Sequence, residues 1–260
     1  MPKNLSLARS SSTTEEFYTA IHARMVQHEG PNETRPTIRE FVETLQRFSI
    51  APAGQALDAG CGGTAAVAIA CANRGFTGVQ AIDINVESLR RAKSLVGSRD
   101  GVIHLSCGSV LSLPFPDGTF DFAACVGVAH HTPDPERVIS ELARVVKPRG
   151  RLYFSVYCFA DSWFELAVRT LRYLGAHVPF GFMQRVSGNS QVMNNFVLDH
   201  MYVPTLWVFG AEEVQALLAG YGFSVLGEWA SRMDPFAGHG WIGRQISGDG
   251  LMRVWLCERH

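Results

Sequence analysis

The stretch QALDAGCGGT, residues 55 to 64, decides the fold. Gln55 to Ala59 reads as a short strand that runs straight into the glycines Gly60, Gly62 and Gly63, and AAVAIACANR (65 to 74) continues as a helix that Gly75 ends. Strand, glycine turn, helix is a unit in which the backbone can approach a ligand closely, because glycine has no Cβ to stand in the way.

The same alternation runs outward from this unit. GVQAID (78 to 83) reads as a strand, VESLRRAKSLVG (86 to 97) as a helix and VIHLSCG (102 to 108) as a strand. FDFAACVGV (120 to 128) is a fourth strand, and PERVISELARVV (135 to 146) is a helix with Asp134 as its N-cap and Pro135 in its first turn. KPRG ends that helix and RLYFSVY (151 to 157) is a fifth strand. Alternation of this kind predicts an α/β fold with a parallel sheet covered by helices on both faces. After Tyr157 the rhythm changes. An aromatic helix (162 to 174) leads into an irregular stretch, 175 to 209, and an interruption of that length inside a domain is uncommon unless functional. A helix (211 to 222), a strand (223 to 229), a glycine-rich loop (230 to 250) and a last strand (251 to 258) complete the chain. Upstream, residues 14 to 48 carry two helical patterns broken at GPNETRP, and the Ser-rich residues 1 to 13 read as a flexible terminus. The expected organisation is that terminus followed by one domain over 14 to 260, with N-terminal helices at 14 to 48 and a cap insertion at about 160 to 209.

Composition bounds the partners. With 23 Lys and Arg against 24 Asp and Glu, the formal net charge of −1 gives no electrostatic footprint for a polynucleotide or an anionic membrane. No apolar run approaches the ~20 residues that span a bilayer and the N-terminus lacks a secretory signal, so a cytoplasmic protein is expected. The six cysteines form no CxxC pair and read as buried free thiols. Nine histidines invite a metal, but none has the spacing of a zinc peptidase, and adjacent His130 and His131 make poor joint ligands. No required metal is expected.

Two acids narrow the ligand. Asp83 ends the second strand, about where a Rossmann-type acid grips an adenosine ribose; its competing role as a helix cap is better filled by Asn85. Gly60-x-Gly62-x-x-Ala65 also satisfies the dinucleotide fingerprint, which keeps an NAD(P)-dependent oxidoreductase as an alternative. Asp58, two residues before the first glycine, would repel a pyrophosphate but suits the cationic amino-acid end of S-adenosylmethionine; its bland alternative is a solvated turn residue. The fourth strand ends at Val126-Gly127-Val128-Ala129-His130-His131, and ligands in open α/β sheets lie outside the carboxyl ends of strands. His131 or His130 there has the titration range to deprotonate an acceptor hydroxyl or amine, unless it only shapes the loop.

Through ALDAGCGG, AIDIN, LPFPDGTFD, GVAHHTPDPERVISELARVVKPRGRL and, more loosely, FGAEEVQALLAGYGF, the chain resembles the class I S-adenosylmethionine-dependent methyltransferases, of the type that methylates small molecules. The resemblance is tight over about residues 54 to 157 and follows an overall pattern over 209 to 258. It implies a Rossmann-like seven-stranded sheet with an antiparallel last strand, S-adenosyl-L-methionine as cofactor, S-adenosyl-L-homocysteine as product, and O-, N- or C-methylation of a metabolite in biosynthesis. It gives Asp58, Gly60 and Gly62 to the amino-acid and sulfonium side of the cofactor, with Cys61, Val126 and Gly127 as further cofactor-binding positions. Asp83 takes the ribose, Ile84 the adenine face, and Ser109 and Val110 the adenine edge, although relatives often carry an acid where this chain has Ser109. A non-catalytic S-adenosylmethionine-binding partner module is a further alternative. For the acceptor, Tyr18, Asp199, His200, Tyr202 and Trp241 are the candidates, as parts of an aromatic lid or its borders. Monomer and homodimer both remain open.

Overall fold

The structure is a computed structural model, and it describes residues 2–6, 16–19, 36–175, 177–187, 199–232 and 250–260. In chain order these form β1 (Lys3–Asn4), α1 (Pro36–Arg47), β2 (Gln55–Ala59), α2 (Ala66–Arg74), β3 (Gly78–Asp83), α3 (Val86–Val96) and β4 (Ile103–Cys107). Then follow β5 (Phe120–Val126), α4 (Pro135–Val145), β6 (Val146–Tyr157), α5 (Trp163–Gly175), α6 (Phe180–Ser187), α7 (Asp199–Tyr202), β7 (Trp207–Val208), α8 (Ala211–Gly220), β8 (Phe223–Ala230) and β9 (Met252–Arg259).

Seven strands make one sheet in the order β4-β3-β2-β5-β6-β9-β8. The first five run parallel, while β9 lies between β6 and β8 and is antiparallel to both. Winding starts at β2, proceeds outward through β3 and β4, then returns to the other side of β2 at β5. That reversal opens a crevice at the carboxyl ends of β2 and β5, where open sheets bind ligands.

The sheet is apolar on both faces, as parallel strands must be when helices cover them. On one face, Leu57, Phe120, Phe154 and Trp255 pack with Val138, Ile139 and Leu142 of α4 and with Val214 and Leu218 of α8. On the other, Ala56, Val79, Phe122, Tyr153 and Val254 meet Ile38, Phe41 and Leu45 of α1 and the small residues of α2. A third cluster, outside the sheet, joins Leu5 and Phe17 to Phe159, Phe164, Val168, Met201 and Leu206. This is the cap's own core.

Three details differ from the expectation. Residues 2–6 are docked rather than loose: β1 pairs antiparallel with β7, Leu5 is buried, and Lys3 reaches Asp161 and Glu165. The stretch 175 to 209 is not irregular throughout, because α6, α7 and β7 lie within it; residues 188 to 198 are outside the described residues. KPRG belongs to the start of β6, where Arg149 takes φ +64° and the pairing with β5 shifts between Phe120 and Phe122. Of the N-terminal helices, residues 16–19 and α1 are seen, and residues 20–35 lie outside the description.

Candidate cofactor and acceptor site

The glycine turn sits at the crevice and is held by backbone and side-chain bonds together. The N–H groups of Gly60 and Cys61 both donate to the Ile82 carbonyl, and Gly62 N donates to Asp83 Oδ2 at 2.8 Å. The other oxygen of Asp83 accepts from Asn85 N at 2.9 Å. Asp83 therefore ties the turn to the end of β3 while remaining partly exposed, and Asn85 caps α3 by accepting from Ser88 N. Gly60 has φ +85°, and a Cβ there would meet Val128 Cγ2 at 2.4 Å. Gly62 has φ +59° with open space where its Cβ would point. One glycine lets two loops approach each other, and the other leaves room for a ligand.

Asp58 is 3% exposed, so it is not a solvated turn residue. Its Oδ2 accepts from Ala68 N at 2.9 Å, in the first turn of α2, which sets a carboxylate against a helix N-terminus. Burial pushes its pKa up to about 7 despite that hydrogen bond, with Asp83 adding a smaller upward push. Cys61 and Cys71 nearby are buried thiols whose pKa values burial raises further.

Across the crevice, Ile84 is 52% exposed at the end of β3, an unusual position for a large apolar side chain and one suited to a flat ring. Ser109 Oγ accepts from Leu111 N, which shapes the turn after β4, and Val110 is buried. Gly127, at φ +71°, donates its N–H to the backbone carbonyl and hydroxyl of Ser155, joining the ends of β5 and β6.

The histidine pair divides. His130 is fully enclosed, its ring 4.1 Å from those of both His131 and Tyr157, so it stands in the packing under the loop and not on the cleft wall expected for a catalytic group. His131 keeps a small exposed fraction and lies against Tyr18, with ring centroids 5.6 Å apart. Its Nδ1 faces the Thr205 carbonyl at 3.1 Å. A carbonyl only accepts, so Nδ1 carries the proton and Nε2 is the basic nitrogen. The acceptor candidates in the cap divide likewise. His200 is 2% exposed among Tyr157, Phe159 and Phe164, and Tyr202 is buried with its hydroxyl donating to the Val178 carbonyl. Both are held in the cap's core, where apolar packing outweighs exposure to the cleft. The side chain of Asp199 and all of Trp241 lie outside the described residues.

A cavity of ≈ 240 Å³, absent from the sequence expectations, shares Val126 and Gly127 with this site and extends under α1 to Glu40, Tyr153, Ser231 and Met252. Glu40 gave no periodicity signal, since it stands off the apolar stripe of Ile38, Phe41 and Leu45. Among the described residues, no three His, Cys, Asp or Glu side chains gather as a metal site.

A doubly wound sheet with a glycine turn at its switch point and an acid closing the next strand defines a nucleoside-binding α/β protein. A family model described as a methyltransferase domain matches residues 57–154. The chain is 31% identical to the ubiquinone biosynthesis O-methyltransferase of Xanthomonas euvesicatoria pv. vesicatoria, over 63% of this chain and 69% of that protein. The chain belongs to the class I S-adenosylmethionine-dependent methyltransferases. It is also 27% identical to the 2-methyl-6-phytyl-1,4-hydroquinone methyltransferase of Synechocystis sp., over 74% of this chain and 65% of that protein. A match to Arabidopsis thaliana 24-methylenesterol C-methyltransferase 3 spans only 30% of the relative's length. Among solved structures, the [4+2]-cyclase SpnF superposes with a TM-score of 0.62 over 98% of both chains at 17% identity. A geranyl diphosphate methyltransferase in complex with GPP and sinefungin gives 0.59 over 85% of this chain and 78% of that one, at 14% identity. Those two likenesses concern the fold.

Proposed function

We propose that this chain transfers the methyl group of S-adenosylmethionine to a small molecule, and that the glycine turn with Asp58 and Asp83 holds the cofactor. The observation that carries the reading is the convergence of these groups at the switch point, with Gly62 leaving open space and Asp83 partly exposed. The residues suit the cofactor part by part. Asp83 has acceptor capacity left for the ribose hydroxyls, Ile84 offers an exposed apolar face to the adenine, and Ser109 and Val110 border its edge. Asp58 and Cys61, with Gly60, Gly127 and Val126, flank the methionine end, where the carboxylate of Asp58 complements an ammonium group.

When bound, S-adenosylmethionine supplies a methyl group on a sulfonium: the S–CH3 bond breaks as the acceptor–CH3 bond forms, and the neutral thioether is left behind. The protein's part is chiefly to hold the nucleophile in line and exclude water. His131 takes the proton that an O–H or N–H acceptor must lose, on Nε2, while its Nδ1–H on Thr205 O fixes the ring. His130 and Tyr157 support that ring from below.

The relatives named above methylate quinone-type and sterol acceptors by their names, which agrees with a small, largely apolar acceptor for this chain. The reading places the protein in the cytoplasm and uses neither nucleic acid nor a metal. No helix among the described residues is long and apolar enough to cross a membrane.

Calorimetric titration of the full chain with S-adenosylhomocysteine and with NADH is the direct test. Micromolar binding of the first alone is expected; binding of NADH alone would restore the oxidoreductase reading. Incubation with methyl-labelled cofactor and a cell extract then separates an enzyme from a binding module: label is expected in the small-molecule fraction, and label confined to RNA or protein would overturn the substrate class.

A further inference from the structure

The cavity under α1 lies on the far side of β5 from the strands that carry Asp58 and Asp83. Its floor is one face of the sheet: Tyr153 and Ser155 alternate on β6, and Met252 and Val254 on its neighbour β9. Ile38 and Phe41 roof it from α1, and Phe41 meets Tyr153 edge-on at 5.0 Å between centroids. Its upper end is Val126 and Gly127, the close of β5. An apolar cavity of about 150 Å³ takes a benzene ring, so ≈ 240 Å³ accommodates a ring with substituents.

The polar end is Glu40. It is 4% exposed and lines the cavity. Its Oε1 accepts from Trp229 Nε1 at 2.8 Å, its Oε2 from Ser231 Oγ at 2.8 Å, and the Arg232 N–H is shared between the two at 3.3 and 3.2 Å. An ionised carboxylate offers about four acceptor positions. Trp229 and Ser231 each take one position on one oxygen, and the Arg232 N–H, long and divided between the two oxygens, fills the remaining side only weakly. The Arg232 guanidinium is turned to Glu43, so Arg232 meets Glu40 through its backbone N–H. A buried carboxylate whose remaining side is only weakly filled, at the end of an apolar slot, favours a stronger donor on an otherwise apolar ligand.

We infer that this cavity is the methyl-acceptor subsite, and that it takes an aromatic ring carrying a hydrogen-bond donor, a phenol or an aryl amine, with the donor seated on Glu40. The inference rests on the cofactor reading for the position of the methyl group at the Gly127 end. The donor at Glu40 is therefore not the atom that is methylated; it sets which end of the ring faces the cofactor, and Glu40 is a specificity-determining residue.

The test titrates 4-ethylphenol and its donor-less counterpart 4-ethylanisole into the full chain, with and without saturating S-adenosylhomocysteine, following ligand signals by saturation-transfer NMR. The phenol should bind at least tenfold more tightly than the anisole. Glu40→Gln should weaken the phenol about tenfold and leave the anisole within twofold, a difference that a general loosening of the fold would not produce. Ile38→Trp, which fills the roof, should abolish binding of both while melting cooperatively and titrating S-adenosylhomocysteine as the wild type does. Equal binding of phenol and anisole, equal losses for both in Glu40→Gln, or undiminished phenol binding in Ile38→Trp would each overturn the assignment. Absence of phenol binding in a chain that binds S-adenosylhomocysteine would overturn it while sparing the cofactor reading; a chain that binds neither would overturn both.

Discussion

At the scale of single residues, the roles proposed for Asp58, Asp83, Gly60 and His131 are separable by experiment. Asp58 is protonated more readily in the folded chain than in the unfolded one, because burial raises its pKa to about 7 from the usual carboxylate range. Its contribution to stability is therefore full below pH ~4, declines as pH rises, and is lost above about 7. Urea melts between pH 4 and 8 should show that decline, and Asp58→Asn should flatten it. If the cofactor's ammonium binds beside Asp58, it favours the carboxylate, so S-adenosylhomocysteine affinity should rise with pH up to about 7 and proton release should appear when titrations in two buffers are compared. Asp83→Ala should weaken S-adenosylhomocysteine by about 2–3 kcal/mol, the order expected for charge-assisted hydrogen bonds. Gly60→Ala forces a Cβ onto Val128 at a φ of +85° and should cost at least about 2 kcal/mol of stability, measured by denaturant melts. His131→Ala should lower turnover about 100-fold with cofactor affinity nearly intact; unchanged turnover would remove it from the mechanism.

At the scale of elements, α4 holds the loop that follows β4. Glu141 is buried, and its carboxylate accepts from Leu113 N at 2.8 Å and from Arg144 at 2.8 and 3.1 Å. Arg144 also donates to the carbonyls of Leu113 and Phe115 and to Asp117. The hydrogen bonds from Arg144 hold the Glu141 carboxyl below the usual range, so this pairing stabilises the fold above the unfolded carboxylate pKa and is lost as pH falls through the folded one. Glu141→Ala leaves an Arg at a partly exposed site and should cost about 2–3 kcal/mol, discounted from a fully buried pair because Arg144 is solvated in part. These elements were readable in advance. The helix after Asp134 stands where its capping residue and its place in the strand–helix alternation put it, and Asp134 caps α4 by accepting from Arg137 N. The strand ends that bear Asp58, Asp83 and Gly127 were equally legible, because local propensity and sheet topology agree there. Glu40 was not. It stands off the apolar stripe of α1, where periodicity assigns a residue to solvent, and only the approach of β8 with Ser231 and Trp229 buries it.

At the scale of the molecule, residues 2–6 complete the cap. Leu5 is buried in the cap's core, β1 pairs with β7, and Lys3 bridges Asp161 and the buried Glu165. Removing residues 1–6 should cost about 3 kcal/mol, chiefly the apolar burial of Leu5 with a smaller share from the partly solvated ion pairs, and lower Tm by roughly 5–10 °C. A calorimetric scan showing no shift would mean that this strand is undocked in solution. For His130, His200 and Tyr202 the aromatic packing around Tyr157 and Phe164 sets how deeply each is enclosed, which no local pattern in the chain records.

The sequence by itself determined the alternating strands and helices, the glycine turn, the two acids at the strand ends and the caps of α3 and α4. These depend on backbone conformation and on spacings within a few residues, which the chain encodes locally. Only the tertiary structure decided that Asp58 is buried against a helix N-terminus, that His130 is fully enclosed while His131 lies against Tyr18, and that Glu40 closes a cavity beside Gly127. Burial and the direction a side chain faces are set by elements distant in the chain, here α1 against β8 and the first residues against the cap, and no local pattern records those meetings.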